Sequence, residues 1–457
     1  MPSLAKQLAG PAPGFPGVPY DPAVPNPPDR SLFALREFRA LVGARSTNAL
    51  AVSALATVVA FQTYELTRDP LALGWLGLVE AIPALSLVLF GGHVADRRER
   101  RGIVVLTSTV LVLCAIVLAG LAAAGATLLG ILAVIFVTGI ASGFERPALT
   151  ALEAQVVPRE QAARGVSTLS SVSQAGAILG PAAGGIAIAV IGIPATYAVI
   201  AVLLVASTAC LWTIAPKPVP PPVEGEPFVE SLLGGIRYVR RTPALVGSMA
   251  LDLFAVFFGG AIALLPIYAT DILHVGAIGL GVLRTAPSIG ALLVMLIATR
   301  RPPSGHAGRT LLICVAGFGI SMIVFGASTV FWLSLVALFV SGVTDGISMI
   351  IRNTILRVLS PERIRGRVAS VNWVFIGASN ELGAFESGVA ALVFGTVPSV
   401  VGGGILTLGV VAATAWLVPS LRSLNLETAE PGDDGLGPID TTIAATPAPP
   451  EAPPTSA

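Results

Sequence analysis

The sequence predicts an all-α membrane protein with twelve transmembrane helices in two pseudo-symmetric six-helix bundles. Three observations carry that prediction: the composition, a series of closely spaced apolar runs, and an internal repeat. Of 457 residues, 54% are hydrophobic and 12% charged, and the mean hydropathy is +0.84. A soluble chain carries roughly 25% charged residues. Half that fraction leaves more apolar side chain than aqueous cores can bury, and lipid is the solvent that fits. Composition therefore argues against a soluble enzyme or a nucleic-acid-binding protein.

The apolar runs fall at approximately 40–66, 71–93, 103–124, 127–149, 165–191, 194–214, 244–270, 277–298, 309–328, 330–352, 367–394 and 398–419. Each reaches the length of about 20 residues that spans a bilayer as a helix. Ahead of them, residues 1–35 form a Pro-rich polar tail without the basic and apolar regions of a signal peptide. The first bundle is expected over 36–214, a polar Pro-rich linker over 215–243, the second bundle over 244–420, and a second tail over 421–457. Both tails are expected to be disordered cytoplasmic segments.

Charge placement sets the orientation. Arg97, Arg98, Arg100 and Arg101, then Arg159 and Arg164, Lys217, Arg237, Arg240 and Arg241, Arg300, Arg301 and Arg309, and Arg357, Arg363, Arg365 and Arg367 all fall in one set of loops. The opposite set holds Arg68 and almost nothing else basic. By the positive-inside rule the arginine-rich loops and both termini are cytoplasmic.

The chain has 25 Arg and only two Lys, Lys6 and Lys217. A phosphate-binding loop ends in Lys-Ser or Lys-Thr. Lys6 precedes Gln7 and Lys217 precedes Pro218, so the chain itself carries no ATP site. Transport would run on an ion or solute gradient unless a partner supplies ATP. Cys114, Cys210 and Cys314 stand apart in apolar stretches, and His93, His274 and His306 in loops or at helix ends. None has metal-ligand spacing, so no metal and no cofactor is expected.

The two halves match in register. Gly77-Leu-Val-Glu80-Ala-Ile-Pro83 aligns with Gly281-Val-Leu-Arg284-Thr-Ala-Pro287, and Ala40-Leu-Val-Gly43 with Ala244-Leu-Val-Gly247, both at an offset of 204. Pro158-Arg-Glu160 with Arg164 recurs as Pro361-Glu-Arg363 with Arg367, at 203. Two parallel six-helix repeats bind substrate between the halves near mid-membrane and rock to give alternating access.

Between spans 2 and 3 runs Gly92-His-Val-Ala-Asp96-Arg97-Arg-Glu-Arg100-Arg101. This resembles motif A of the major facilitator superfamily, with Glu99 in place of a second glycine. Gly92 would let a neighbouring helix approach closely, and Asp96 would cap a helix start or pair with Arg. The resemblance implies that Asp96 meets the start of span 11 near Gly366 and latches the cytoplasmic side in the outward-facing state. Span 5 contains Gly176-Ala-Ile-Leu-Gly180-Pro181-Ala-Ala-Gly184-Gly185. This is similar to motif C, which that superfamily associates with proton-antiport exporters. Its glycines clear one helix face for close packing, and Pro181 is a candidate kink.

From about 33 to 420 the chain resembles the enterobactin-exporter branch of the superfamily. The strings Tyr64-Glu-Leu-Thr67, Leu264-Leu-Pro266 and Asn380-Glu-Leu-Gly-Ala-Phe-Glu-Ser-Gly388 add to the motifs. That resemblance implies export of a siderophore-like or hydrophobic drug-like molecule in exchange for protons. Ile135 stands where drug exporters place a span 4 arginine, and span 1 offers Ser46, Thr47, Asn48 and Gln62 rather than an acid. Proton coupling would therefore use other residues.

Candidates follow from charges in the apolar runs, where an ionised group costs about 2.5–3.5 kcal/mol on insertion scales. Glu80 and Arg284 occupy repeat-equivalent places in spans 2 and 8, as a polar pair or two ends of one cavity. Span 11 carries Glu381 and Glu386, and five residues turn the two roughly 140° apart. Glu386 falls within the repeat of motif C. The resemblance makes spans 2 and 11 neighbours, so Glu80 and Glu381 would share a site. Two close carboxylates in low dielectric do not readily both ionise, which suits proton coupling. The resemblance has spans 1, 4, 7 and 10 line the central cavity, so Asp252 in span 7 would meet substrate. Asp345 lies toward the middle of span 10, while Glu145, Arg146 and Arg352, near the cytoplasmic ends of spans 4 and 10, read as structural ion pairs. Phe144, Phe254, Phe257, Phe258, Trp373 and Phe385 fit either a cavity wall or core packing. The resulting expectation is an exporter in a bacterial cytoplasmic membrane. Its competitors are a proton-coupled metabolite importer and a transporter-like receptor that moves nothing.

Overall fold

The computed structural model describes residues 31–218, 228–298, 305–362 and 364–426. The tails expected beyond these limits, with Lys6, Arg300, Arg301 and Arg363, lie outside the described residues. No β-strand occurs among the described residues. A backbone in lipid must satisfy its N–H and C=O groups internally, and a helix does so within one segment.

Ten helical segments are long and apolar enough to cross a membrane. Two further crossings complete twelve spans. Arg159–Trp212 holds spans 5 and 6, because Gly192, at φ 79° and ψ 168°, breaks the helix between them. The positive φ there is one that a side chain would strain. Arg365–Phe394 is a 30-residue helix whose arginines and glutamates lower its hydropathy, and it forms span 11. The remaining spans are Arg36–Thr67 (1), Pro70–Arg97 (2), Arg100–Ala124 (3), Leu128–Val156 (4), Pro243–Phe258 with its continuation to Ile272 (7), Gly276–Ala298 (8), Ala307–Ala327 (9), Phe331–Leu359 (10) and Thr396–Leu417 (12). Leu129 and Trp416 are 78% and 79% exposed on the outer surface of the bundle, as lipid-facing side chains are.

Local chemistry marks the span ends. Asp69 caps span 2, its side chain accepting from Leu71 N at 2.9 Å with Pro70 in the first turn. Thr127 caps span 4 through Gly130 N at 3.2 Å. The expected kink at Pro181 does not interrupt the helical torsions, which run through it to Gly192. Span 7 is discontinuous instead. Its α-helix stops at Phe258, and the chain passes Gly259 and Gly260 into a 3-10 turn, Ala261–Leu264, and a π-helical turn, Tyr268–Ile272.

The repeat seen in the sequence recurs as repeated contacts. A Cβ on Gly139 in span 4 would stand 2.7 Å from Pro83 Cγ of span 2. Its counterpart Gly342 in span 10 packs on Pro287 of span 8, with a Cβ 2.5 Å from Pro287 Cα. Likewise Gly180 in span 5 seats against Ser53 of span 1, and Gly383 in span 11 against Phe257 of span 7. Spans 2, 4, 8 and 10 and spans 1, 5, 7 and 11 thus pair by the same rule in both halves.

The bundles extend slightly beyond the expected limits. Leu32 is buried ahead of span 1, and Leu421 is fully buried after span 12, with Leu426 N donating to Gly305 O at 3.2 Å. Inside the expected linker, Phe228–Arg241 is a helix. It lies on span 11, with a Cβ on Gly235 2.7 Å from Arg367 O, and Tyr238 Oη donates to Leu359 O at 2.6 Å.

Candidate functional site

A cavity of about 440 Å³ lies between the two six-helix halves. Spans 1, 2 and 4 line it from one half and spans 7, 8, 9, 10 and 11 from the other. The break in span 7 brings Gly259 and Gly260 to the wall, where Gly259 seats against Phe318. Irregular backbone at membrane depth is tolerated where it lines such a cavity.

Four carboxylates line the wall: Glu80, Asp252, Asp345 and Glu381. Arg284 is the guanidinium among the lining residues, and its Nη1 donates to Ala56 O at 3.3 Å, across the two halves. Glu80 lies in the electrostatic reach of both Arg284 and Arg146, and Glu381 in that of Glu80 and Arg146. The Glu381 carboxylate lies against span 2 one turn from Glu80, since a Cβ on Gly77 would stand 2.9 Å from Glu381 Oε2. Glu80 and Glu381 thus occupy one site with no hydrogen-bond donor on either carboxylate among the described residues.

Asp252 and Asp345 are arranged differently. Arg352 pairs with Asp252, and its Nη2 lies 3.6 Å from Asp345 Oδ1, tying span 7 to span 10. The ion pairs expected at Arg352 are therefore present, but Asp345 also faces the cavity. Glu145 is buried beside Asn48, whose Nδ2 donates to it at 3.5 Å. Glu386 stands outside the lining, half-buried and hydrogen-bonded to Ser387, as its angular separation from Glu381 requires.

Of the aromatic side chains considered for the wall, none of Phe144, Phe254, Phe257, Phe258 and Phe385 lines the cavity. They pack on one another or on neighbours: Phe257 and Phe258 meet edge to face at 5.1 Å, as do Phe385 and Trp75. The side chain of Trp373 lies outside those described. Phe318, which sequence reasoning missed, lines the cavity.

The cavity is closed at the end opposite the arginine-rich loops. Spans 1 and 7 join there through Arg68 Nη1 and Asp271 Oδ1 at 2.9 Å, with Tyr64 Oη also bonded to Asp271. Spans 5 and 8 close a second seam: a Cβ on Gly185 would stand 3.1 Å from Gly281 Cα, and Thr285 Oγ1 donates to Ile178 O at 3.0 Å. Spans 2 and 11 close a third, with a Cβ on Gly388 3.0 Å from Gly74 Cα. Of the motif C residues, Gly176, Gly180 and Gly184 seat against span 1, while Gly185 and the Pro181 carbonyl meet span 8.

At the arginine-rich end the halves diverge. Asp96 is 77% exposed, with Arg100 of its own loop at 4.0 Å. Gly366 has open space where a Cβ would point. The close helix approach expected at Gly92 is made by its neighbour Gly91, which packs on Gly143 and Phe144 of span 4, while Gly92 faces open space. Arg97 is exposed. Arg100 Nη1 donates to Ala151 O of span 4 at 3.4 Å. Arg101 Nη2 donates to Trp212 O at 2.8 Å, with its guanidinium 5.3 Å from the Trp212 ring. Both arginines thereby satisfy carbonyls near the negative ends of helices within one half.

Known proteins fit this architecture. Residues 41–384 match the model of the Major Facilitator Superfamily. Similar proteins include the enterobactin exporter EntS of Escherichia coli O139:H28 (strain E24377A / ETEC), 26% identical over 385 residues, covering 82% of this chain and 90% of that protein. EntS of Citrobacter koseri (strain ATCC BAA-895 / CDC 4225-83 / SGSC4696) is also 26% identical, over 81% of this chain and 90% of its own. Among solved structures, a POT family transporter in complex with 5-aminolevulinic acid superposes with a TM-score of 0.68 at 13% identity, over 84% of this chain and 96% of that one. A bacterial homolog of the human lysosomal transporter Spinster, in an inward-facing and unoccupied conformation, gives 0.68 at 14%, over 84% and 97%. At such identities the solved structures speak for the fold alone. The helical repeat, the cavity between its halves and the family match agree: the chain is a multi-pass membrane transporter belonging to the Major Facilitator Superfamily.

Proposed function

We propose that the protein exports a small siderophore-like or hydrophobic drug-like molecule across a bacterial cytoplasmic membrane by alternating access, in exchange for protons. The observation that carries this reading is Glu80 and Glu381 meeting in the cavity from opposite halves. A proton shared there neutralises one of two like charges, and its loss or gain changes how strongly the halves repel. Export is favoured by motif C in span 5 and by the similarity to an enterobactin exporter.

The arginine-rich loops and both termini face the cytoplasm by the positive-inside rule. The conformation described is then inward-facing, with the cavity open to the cytoplasm and Arg68–Asp271 closing the outer end. Substrate entering from the cytoplasm displaces the proton from the Glu80–Glu381 site. Asp96 then engages span 11 as the inner side closes, and the outer seams part. Release outside is followed by protonation from outside, which favours return.

Everted membrane vesicles energised by respiration test the reading. A dye reports luminal pH while siderophores and lipophilic drugs are added one by one. Alkalinisation by one compound, lost in Glu80→Gln and in Glu381→Gln, is the expected result. Acidification-driven loss of compound from the lumen would instead favour an importer. No proton movement with any transported compound would remove the antiport mechanism.

A further inference from the structure

The helix Phe228–Arg241 presents an arginine face with no counter-charge among the described residues. Its buried side carries Gly235, Tyr238 and Val239. A Cβ on Gly235 would stand 2.7 Å from Arg367 O and 3.0 Å from Val371 Cγ2, both in span 11, and Tyr238 reaches Leu359 O at the end of span 10. At 3.6 residues per turn, Arg237, Arg240 and Arg241 fall on the opposite side, and all three are exposed. Among the described residues, they and Ile236 line an open hollow of about 400 Å³. No acidic side chain there pairs with any of the three. Glu230, the acid of this helix, stands two turns before Arg237, roughly 10 Å along the axis.

Span 11 fixes where that face looks. Val371 falls on one helical stripe with Phe375, Leu382, Val389 and Val393, which are 37–64% exposed and turned to lipid. Towards the arginine-rich end the same stripe continues as Ile364, Val368 and Val371, and these are buried in one cluster with Tyr238 and Val239. The linker helix thus stands in for lipid at that end of the membrane face of span 11. Its far side, with the arginines, looks away from the bundle. The depth is that of the lipid headgroups, because the chain runs from Arg241 through Thr242 into Pro243, the first residue of span 7.

We infer that Arg237, Arg240 and Arg241 hold the phosphate headgroup of an anionic phospholipid in the adjoining leaflet. Guanidinium groups meet phosphate oxygens through paired N–H donors. Their stems, with Ile236, give apolar cover beside the glycerol and the first methylenes of the chains. A zwitterionic lipid brings an ammonium that offsets its own phosphate and is held less well. Attraction to an anionic headgroup grows with each basic residue near the surface. The site is remote from the cavity and independent of the direction in which substrate moves.

Native mass spectrometry of the full-length protein in a zwitterionic detergent reads the preference, with phosphatidylglycerol and phosphatidylcholine of equal chain length offered together. Phosphatidylglycerol adducts are expected to exceed phosphatidylcholine adducts by about tenfold at equal concentration. The triple variant Arg237→Gln/Arg240→Gln/Arg241→Gln is expected to lose that preference. Arg98→Gln/Arg159→Gln/Arg309→Gln removes three exposed arginines elsewhere at the same end of the molecule and is expected to keep it. Arg240→Gln changes one exposed side chain and is expected to lower the preference about threefold. Inorganic phosphate at the concentration of the lipid is expected to displace none of it. Equal binding of the two lipids by the wild-type protein overturns the inference. So does a full preference in the first triple variant, or an equal loss in both, which would assign the effect to diffuse charge. Displacement by inorganic phosphate would assign the site to the free anion. Binding is read without transport, so failure of the antiport reading leaves this result standing, and the reverse holds too.

Discussion

Arg68 and Asp271, 203 residues apart in sequence, meet at 2.9 Å and tie the end of span 1 remote from the arginine-rich loops to the matching end of span 7. Arg68 also chelates both oxygens of Glu65 at 2.9 Å, and Tyr64 bonds Asp271. One arginine, the basic residue that charge counting left isolated on this side, thus joins the halves where the cavity is sealed. The pair is about half exposed, so its contribution is about 0.5–1 kcal/mol. Asp271→Asn is expected to shift the balance towards the outward-facing state by about two- to fivefold. The measurement is maleimide labelling of Gly366→Cys from the cytoplasmic side, in a background lacking Cys114, Cys210 and Cys314. Labelling should slow, and Arg68→Ala should add nothing in the Asp271→Asn background. Unchanged labelling would mean that the pair does not hold the outer seam.

The same reporter tests motif A. Spans 2 and 11 run antiparallel, with contacts at Gly74 to Phe385, Gly77 to Glu381 and Leu85 to Gly377. Continuing that register brings Asp96 opposite Gly366, although in this conformation Asp96 meets only Arg100 of its own half and Gly366 faces open space. Asp96→Asn is therefore expected to leave thermal stability unchanged while lowering transport by about tenfold, because a charge at a helix start contributes about 0.3–2 kcal/mol only once the latch closes. An Asp96→Cys/Gly366→Cys pair should cross-link when substrate drives the outward-facing state, and not without it. A marked fall in Tm for Asp96→Asn would show that the aspartate already acts in the open state.

Much of this was legible in the chain because membrane helices obey few rules. The apolar runs, the offset between halves and the loop arginines located the spans, and the repeat set Glu80 and Arg284 at equivalent places, which both line the cavity although no ion pair joins them among the described residues. Spans 2 and 11, made neighbours by resemblance, do bring Glu381 to Glu80. Less legible was helix phase. Gly91 and Gly92 are adjacent, and only the rotation of span 2 decides which one meets span 4. The same applies to Asp345, which both pairs with Arg352 and faces the cavity. Phe318 was hidden among other phenylalanines because side-chain direction in a uniformly apolar helix leaves no periodic mark. The break in span 7 did have a signal, the pair Gly259-Gly260 in the middle of an apolar run.

Motif C divides into two structural roles, and substitution should separate them. Gly180 is packed within its own half, where a Cβ would stand 2.5 Å from Ser53 Cβ and 2.8 Å from Leu50 O. Gly180→Val is expected to overpack spans 1 and 5 at a cost of about 1–3 kcal/mol in both states, lowering Tm and membrane yield. Gly185 instead meets Ala277 and Gly281 of the other half. Gly185→Val should obstruct the outer seam only, favouring the outward-facing state with little change in Tm. Gly366→Cys labelling and thermal melting together distinguish the two. Identical effects of both substitutions would mean that motif C acts as one packing face.

Asp252 sits at the repeat position of Asn48, and the two halves treat that position differently. Asn48 donates to Glu145, whereas Asp252 pairs with Arg352 in a setting where both side chains are little exposed. Removing one member of a buried pair leaves the other charge without its partner, at a cost of about 3 kcal/mol. Asp345 at 3.6 Å from Arg352 softens that loss on one side only. Arg352→Gln, which strands both Asp252 and Asp345, is therefore expected to destabilise more than Asp252→Asn. The double variant Asp252→Asn/Arg352→Gln should recover much of the loss, because it removes opposite charges together. Thermal melting of the three variants in detergent provides the cycle. If the double variant melts at the temperature expected from adding the two single losses, the pair is not coupled, and Asp252 is free to meet substrate in the cavity.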